Sequence, residues 1–436
     1  MGRPLVAIVG RQNVGKSTLL NRLAGRQIAI TEDLAGTTRD RVMVDVTWQG
    51  KDFLLVDTGG LESEPESDVA RAVQSQVKTA IDDANAIVFL TDVQQGLTPF
   101  DREIANMLRQ AGKPILLVAN KADNLRLETH AAEFYELGLG DPTAISAHHG
   151  RSTAELLDKI VSVLPEVEPA PADAGTVMTA IVGRPNVGKS MLLNALLGTQ
   201  RVIVDDTPGT TRDAIDTPID FHGRSVLLID TAGIRRRGKL DTDVEKHSVV
   251  RSLRAIDRAD VALLVLDATE AFTGQDKHIA GYVQQAFKGI MLVVNKWDLV
   301  QEQNRRAWER AMHDEFQFVP YAPVLFVSAK FGEGVGKVIP KAIEISEERN
   351  KRIPTAAVNS VIQQAVAVHP PAQIKGKAIK VKYATQAEVN PPTFIIFVND
   401  VRVHFSYRRF LENRLRDAFG FTGTPIRLVF RAGGSS

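Results

Sequence analysis

Gly10-Arg11-Gln12-Asn13-Val14-Gly15-Lys16-Ser17 returns 173 residues later as Gly183-Arg184-Pro185-Asn186-Val187-Gly188-Lys189-Ser190. Gly36-Thr37-Thr38-Arg39-Asp40 returns as Gly209-Thr210-Thr211-Arg212-Asp213, and Asp57-Thr58-Gly59-Gly60 as Asp230-Thr231-Ala232-Gly233, at the same offset. Asn120-Lys121-Ala122-Asp123 returns as Asn295-Lys296-Trp297-Asp298, now 175 residues on. Solenoids repeat every 20–50 residues or so. An offset this long and this steady means that a whole domain is duplicated.

Each copy alternates short apolar runs with helical stretches. The runs are Leu5–Val9, Phe53–Val56, Ala86–Leu90, Ile115–Ala119 and Thr143–Ile145 in the first copy. Thr179–Val182, Val226–Ile229, Val261–Leu266, Ile290–Val294 and Val324–Val327 follow in the second. Unbroken apolar runs between turns suit strands buried on both faces, and the alternation predicts an α/β fold, a mostly parallel sheet flanked by helices. Proline, acid and alanine between the copies read as an exposed linker. The expected boundaries are 1–164 and 176–349 for the copies, 165–175 for the acidic linker, and 350–436 for a third domain.

Charge sets that third domain apart. Residues 350–436 hold 13 Lys and Arg against 4 Asp and Glu, a balance of +9, whereas the rest of the chain balances at −8. A basic tail domain on an acidic body suggests a nucleic-acid partner, although a solvated basic surface reads equally well. Cysteine is absent, which excludes disulfides and thiolate metal sites and fits a reducing compartment. With no apolar run of membrane-spanning length, a soluble, cytoplasmic protein is expected.

The first repeated stretch has the glycine, lysine and serine spacing of a phosphate loop, and lies between a strand and a helix in both copies. Its glycines let backbone N–H groups surround phosphates. Lys16 and Lys189 reach the β- and γ-phosphates, and Ser17 and Ser190 ligate Mg²⁺. Asp57 and Asp230 end strands and are placed to hold the metal through water, with Thr58-Gly59-Gly60 and Thr231-Ala232-Gly233 approaching the γ-phosphate. Asp123 and Asp298 can accept from guanine N1–H and the 2-amino group, donors that adenine lacks, so GTP is favoured over ATP. Asn120, Lys121, Asn295 and Lys296 complete those base motifs. Ser146-Ala147 and Ser328-Ala329-Lys330 are placed to back the base. A threonine of each Thr-Thr pair would bind Mg²⁺ and the γ-phosphate; spacing leaves the choice open, with Thr38 and Thr211 preferred as catalytic alongside the two lysines. Leu61 and Ile234 stand where many GTPases orient water with glutamine, so hydrolysis should be slow or use another device. Four cations in five residues, Arg235-Arg236-Arg237-Gly238-Lys239, follow Asp230 and should be ordered by the γ-phosphate.

The tandem copies, the repeated Gly-Thr-Thr-Arg-Asp loop, the stretch 230–239 and Asn295-Lys296-Trp297-Asp298 together resemble the bacterial double Era-like GTPases, EngA/Der. Pro391-Pro392-Thr393-Phe394, Phe397-Val398-Asn399 and Ser406-Tyr407-Arg408-Arg409-Phe410-Leu411-Glu412-Asn413 match that family's third domain. The resemblance implies two P-loop GTPase domains, a KH-like third domain, and a role in assembling the large ribosomal subunit. It also implies the large-subunit precursor and rRNA as partners, neither membrane nor DNA, and a monomer away from the ribosome. Hydrolysis would be potassium-stimulated, with Asn13 and Asn186 matching the position that binds K⁺. Gln12 departs from the proline usual there, and Met191 from the usual threonine. RNA-modification GTPases share several of these features but end in a catalytic cysteine. A GTP-dependent scaffold without turnover is a further rival.

In the third domain, residues 355–368 and Tyr407–Phe419 read as helices, the second with an apolar face at Tyr407, Phe410, Leu411, Leu415, Ala418 and Phe419. Lys377–Tyr383, Thr393–Val398 and Ile426–Phe430 read as strands, an αββαβ order that suits an α+β, KH-like fold. Gly420-Phe421-Thr422-Gly423 has the letters of a nucleotide-clamping loop but sits between a helix and the last strand, where a helix cap and turn is expected. RNA contact would be electrostatic, through Lys375, Lys377, Lys380, Lys382, Arg408 and Arg409, or else the domain docks on the copies before it.

Overall fold

The computed structural model describes residues 3–25, 43–57, 84–165, 175–198, 202–204, 216–231, 248–300, 304–372 and 378–432. Outside these lie Thr37, Thr38, Thr210, Thr211, Thr58-Gly59-Gly60-Leu61, Ala232-Gly233-Ile234, Arg235 to Lys239, Lys375, Lys377 and linker residues 166–174. The chain forms two compact units, Met1–Ala170 and Pro171–Ser436.

The first unit holds a six-stranded sheet of β1 (Leu5–Val9), β2 (Met43–Trp48), β3 (Lys51–Asp57), β4 (Ala86–Asp92), β5 (Ile115–Asn120) and β6 (Thr143–Ala144), in the order β2-β3-β1-β4-β5-β6. All neighbours are parallel except β2 and β3. Every residue of β1 and β4 is buried, as helices on both faces require. The strand β2 was not among the apolar runs, because it alternates: Val44 and Val46 face the core, while Asp45 and Thr47 are exposed. Leu19, Leu20 and Leu23 of α1 (Lys16–Gly25) pack into that core, which anchors the helix that starts at the phosphate loop.

The second copy repeats this plan with β7 (Val177–Val182), β8 (Val202–Val204), β9 (Thr217–Phe221), β10 (Arg224–Ile229), β11 (Val261–Asp267), β12 (Gly289–Asn295) and β13 (Val324–Phe326), in the order β13-β12-β11-β7-β10-β9-β8. Here too the antiparallel strands β8 and β9 escaped the sequence reading, β8 having only three residues and β9 alternating buried with half-buried positions. Among the described residues, no helix is long and apolar enough to cross a membrane.

Helix Thr355–Val368, strand β14 (Val381–Glu388), strand β15 (Thr393–Val398), helix Phe405–Phe419 and strand β16 (Arg427–Ala432) complete the second unit in the expected αββαβ order. β14 is antiparallel and β16 parallel to the central β15. The boundaries of β14 differ from the expected Lys377–Tyr383. As a sheet edge carrying two register shifts, it does not show a clean alternation. The second helix starts two residues earlier than read, at Phe405, where the His404 side chain accepts from the Ser406 N–H and caps it.

Of the two roles left open for this domain, docking is what the contacts display. Gly420 caps its helix at φ 90°, Phe421 is fully buried, and Gly423 is wedged so closely that a Cβ would lie 2.5 Å from Ile345. The Gly423 N–H donates to the Tyr321 carbonyl at 2.8 Å, and its own carbonyl accepts from Ile290 N–H at 2.7 Å. Arg349, only 2% exposed, donates to the carbonyl of Phe287 (2.8 Å) and to Asn390 Oδ1 (2.5 Å). Burial pulls its pKa down to about 10, so it stays charged at neutral pH.

Candidate nucleotide site

Both phosphate loops fold by the same hydrogen bonds. The Lys16 ammonium donates to the carbonyls of Gly10 (2.7 Å) and Arg11 (2.9 Å); Lys189 donates to those of Gly183 (2.7 Å) and Arg184 (2.5 Å). Two of three lysine donors thus fix the charge over the loop. Asn13 and Asn186 take left-handed conformations at φ 63° and 64°, which asparagine tolerates better than most residues. Gln12 is exposed and disturbs none of these bonds.

The asparagines of the base motifs brace the loops. Asn120 Nδ2 donates to the Val14 carbonyl at 2.8 Å, while its Oδ1 accepts from Ala147 N–H at 2.9 Å. Asn295 does the same between Val187 (2.9 Å) and Ala329 (3.0 Å). One buried amide therefore ties the phosphate loop to the Ser-Ala loop in each copy. That clamp requires Gly15 and Gly188: at φ 96° and 93°, a Cβ on either would lie 2.5 and 2.2 Å from the asparagine nitrogen.

The aspartates differ between copies. Asp123 Oδ1 accepts from the Ser146 hydroxyl at 2.6 Å. Asp298 Oδ1 is buried with no hydrogen-bond partner among the described residues, an acceptor positioned for a donor from outside the chain. On the phosphate side, the Ser17 hydroxyl donates to Asp57 Oδ2 at 2.5 Å, bringing two expected Mg²⁺ ligands together. Asp230 is left-handed at φ 56°, and its N–H is held by Asp216 Oδ1 at 2.9 Å. Asp216 is in turn paired with Arg258, and Thr231 meets Thr217 hydroxyl to hydroxyl at 2.6 Å. Residue 43 of the first copy, at the position of Asp216, is methionine.

Four acids that the sequence reading passed over support these groups. Lys121 Nζ lies 2.6 Å from Asp92 Oδ2, and Lys296 Nζ 2.5 Å from Asp267 Oδ2; both lysines have left-handed backbones. Burial raises the Asp267 pKa, but hydrogen bonds from Lys296 and Thr269 outweigh it and hold the carboxyl below its ordinary value. Arg11 approaches the fully buried Asp101 at 3.5 Å, and Arg184 approaches Asp276 at 3.4 Å. Each of those acids also closes a capping box, with Thr98 and Thr273. The signal was present, since Asp92, Thr98 and Asp101 recur as Asp267, Thr273 and Asp276 at the offset of 175.

Comparison with known proteins agrees with this construction. Residues 5–121 and 178–296 match the family described as "50S ribosome-binding GTPase". Residues 352–431 match "KH-domain-like of EngA bacterial GTPase enzymes, C-terminal". The chain is 50% identical to GTPase Der of Moorella thermoacetica over 436 residues, covering 99% of each chain. It is 51% identical to GTPase Der of Thermomicrobium roseum, over 99% of this chain and 96% of that one. The chain belongs to the GTPase Der family, with two guanine-nucleotide-binding, GTP-hydrolysing domains and a KH-like domain.

Proposed function

We propose that the protein is a cytoplasmic, GTP-driven switch acting in assembly of the large ribosomal subunit, and that potassium stimulates its hydrolysis. The observation that carries the reading is the doubling of one bonded cradle: the lysine over the phosphate loop and the asparagine clamp that ties this loop to the Ser-Ala loop. The partner side is supported by the "50S ribosome-binding" description of the matching family and by the +9 charge of residues 350–436. The boundaries that fit this reading are 1–164 and 176–349 for the two G domains.

In this scheme Lys16 and Lys189 hold negative charge on the β- and γ-phosphates. Asp123 and Asp298 select guanine, and Asn120 and Asn295 keep base and phosphate loops at a fixed spacing. Ser17 with Asp57 would hold Mg²⁺ in the first site, and Ser190 with Asp230 in the second, joined by Thr38 and Thr211. The 2.5 Å contact of Ser17 with Asp57 suits such a ligand pair. Bound there, Mg²⁺ would neutralise phosphate charge. Asn13 and Asn186 would hold K⁺, supplying positive charge where Leu61 and Ile234 offer no water-orienting group.

Two measurements test this. Phosphate release should be faster in K⁺ than in Na⁺ at matched ionic strength; equal rates would remove the potassium assignment. The protein should co-sediment with large-subunit precursor particles differently in a GTP analogue and in GDP. Absence of co-sedimentation in both states would remove the ribosomal role.

A further inference from the structure

We propose that the outer face of the third domain's sheet stacks unpaired RNA bases, a reading that rests on the ribosomal role above and specifies its contact. Gly420-Phe421-Thr422-Gly423, which has the letters of a nucleotide-clamping loop, serves as the expected helix cap and turn. Phe421 is fully buried and Gly423 seats against Ile345, which leaves only Gly420 and Thr422 of the stretch exposed. Those two residues offer no cation and no ring, so a broader surface for RNA is sought on the sheet.

The three strands have two unlike faces. Ala384, Phe394, Ile396 and Val398 point inward to the core beneath the two helices. The opposite face carries a row running across the sheet, in which Tyr383 pairs with Phe397 and Phe397 with Arg431. The next row is Thr385, Ile395 and Val429. Tyr383 is 44% exposed, and its ring centroid lies 5.9 Å from that of Phe397. Lys380, Lys382 and Arg431 are exposed along the two borders of this row. Asp400, just beyond β15, is engaged by Arg402.

Rings lying on a sheet and flanked by cations fit single-stranded RNA. Bases stack on the rings and on the guanidinium plane, and phosphates pass over the lysines. A duplex keeps its bases stacked internally and offers this row only its backbone. A protein partner would use the rings but gain little from a domain with 13 basic and 4 acidic residues.

The test uses the full-length chain and a labelled 12-nucleotide mixed-sequence RNA, alongside the same sequence as a 12-base-pair duplex. Tyr383→Ala should weaken single-strand binding roughly five- to 150-fold, the range for loss of one stacked base, and leave duplex binding unchanged. Tyr383→Phe should bind like the unmutated protein. Phe397→Leu, which keeps the strand packed, should weaken binding in the same direction. GTP turnover and circular dichroism serve as checks that each variant is folded. The proposal is overturned if Tyr383→Ala binds the single strand normally, if single strand and duplex weaken alike, or if the unmutated protein shows no single-strand binding. It is also overturned if Tyr383→Ala loses only co-sedimentation with ribosomal particles, the outcome expected of a protein partner. Failure of the unmutated protein to co-sediment at all would instead remove the ribosomal role, and the oligonucleotide result would still decide the face.

Discussion

The Lys296 ammonium lies 2.5 Å from a carboxylate oxygen of Asp267, joining the ends of two adjacent parallel strands beneath the base motif. Because the Asp267 pKa is held below the ordinary carboxylate value, its stabilising contribution is present above the unfolded-state pKa and lost as pH falls through the folded one. Urea unfolding of the second unit, followed by fluorescence of Trp297 and Trp308 in a chain with Trp48 replaced by Phe, should therefore show a midpoint that drops on acidification below about pH 4. Asp267→Asn should be less stable at neutral pH by about 1–3 kcal/mol and lack that part of the acid slope. An unchanged slope in the variant would assign it to other acids.

Base selection should respond to a single atom change at either site. Asp123→Asn and Asp298→Asn each replace a two-acceptor carboxylate by an amide, so GDP affinity at the altered site should fall by a factor of about ten to a few hundred. Affinity for xanthosine diphosphate should rise in turn. Calorimetric titration with both nucleotides checks this, and ATP competing equally with GTP in the unmutated protein would show the assignment to be wrong.

Gly188→Ala should cripple the second site without unfolding it. The added methyl carbon would fall 2.2 Å from Asn295 Nδ2, and the left-handed backbone costs a further 1–2 kcal/mol or so. GDP binding at that site should weaken by roughly two orders of magnitude or more, from strain and the lost amide brace together. Retention of normal affinity at both sites, with an unchanged melting temperature, would mean that the clamp is dispensable.

Removing the charge at Arg349 leaves the half-buried Phe287 carbonyl and Asn390 without their donor and empties a buried site. Arg349→Ala should cost the second unit about 3 kcal/mol or more, read as a shift in urea midpoint. Arg349→Met, which refills the volume, should recover part of that loss. Equal stability of all three proteins would show that packing elsewhere carries the junction.

The parallel strands and both phosphate loops were legible because their signals are local: unbroken apolar runs, and a glycine-lysine-serine spacing that recurs. Strands β2 and β9 were not, since half-exposed strands such as Val44 to Thr47 leave only a weak alternation, and β8 spans only three residues. Asp92, Asp101, Asp267 and Asp276 went unread for a different reason. An aspartate after an apolar strand, or three residues past a threonine, is common as a turn or helix cap. Only the fold shows Lys121, Lys296, Arg11 and Arg184 reaching those carboxylates. The asparagine clamp was likewise hidden, because it joins residues 106 positions apart in the first copy and 108 in the second.

The bond from Ile290 N–H to the Gly423 carbonyl closes the start of a core strand with a residue 133 positions downstream. The second G domain is thus not a detachable cassette. Cut after residue 349, it would uncover the side of Ile345 that Gly423 covers and leave the Ile290 amide at its sheet end without its acceptor, both open to self-association. The two copies look interchangeable on paper, yet the second shares backbone hydrogen bonds with the domain that follows it. Any recombination that moved the second would have to carry the C-terminal domain with it.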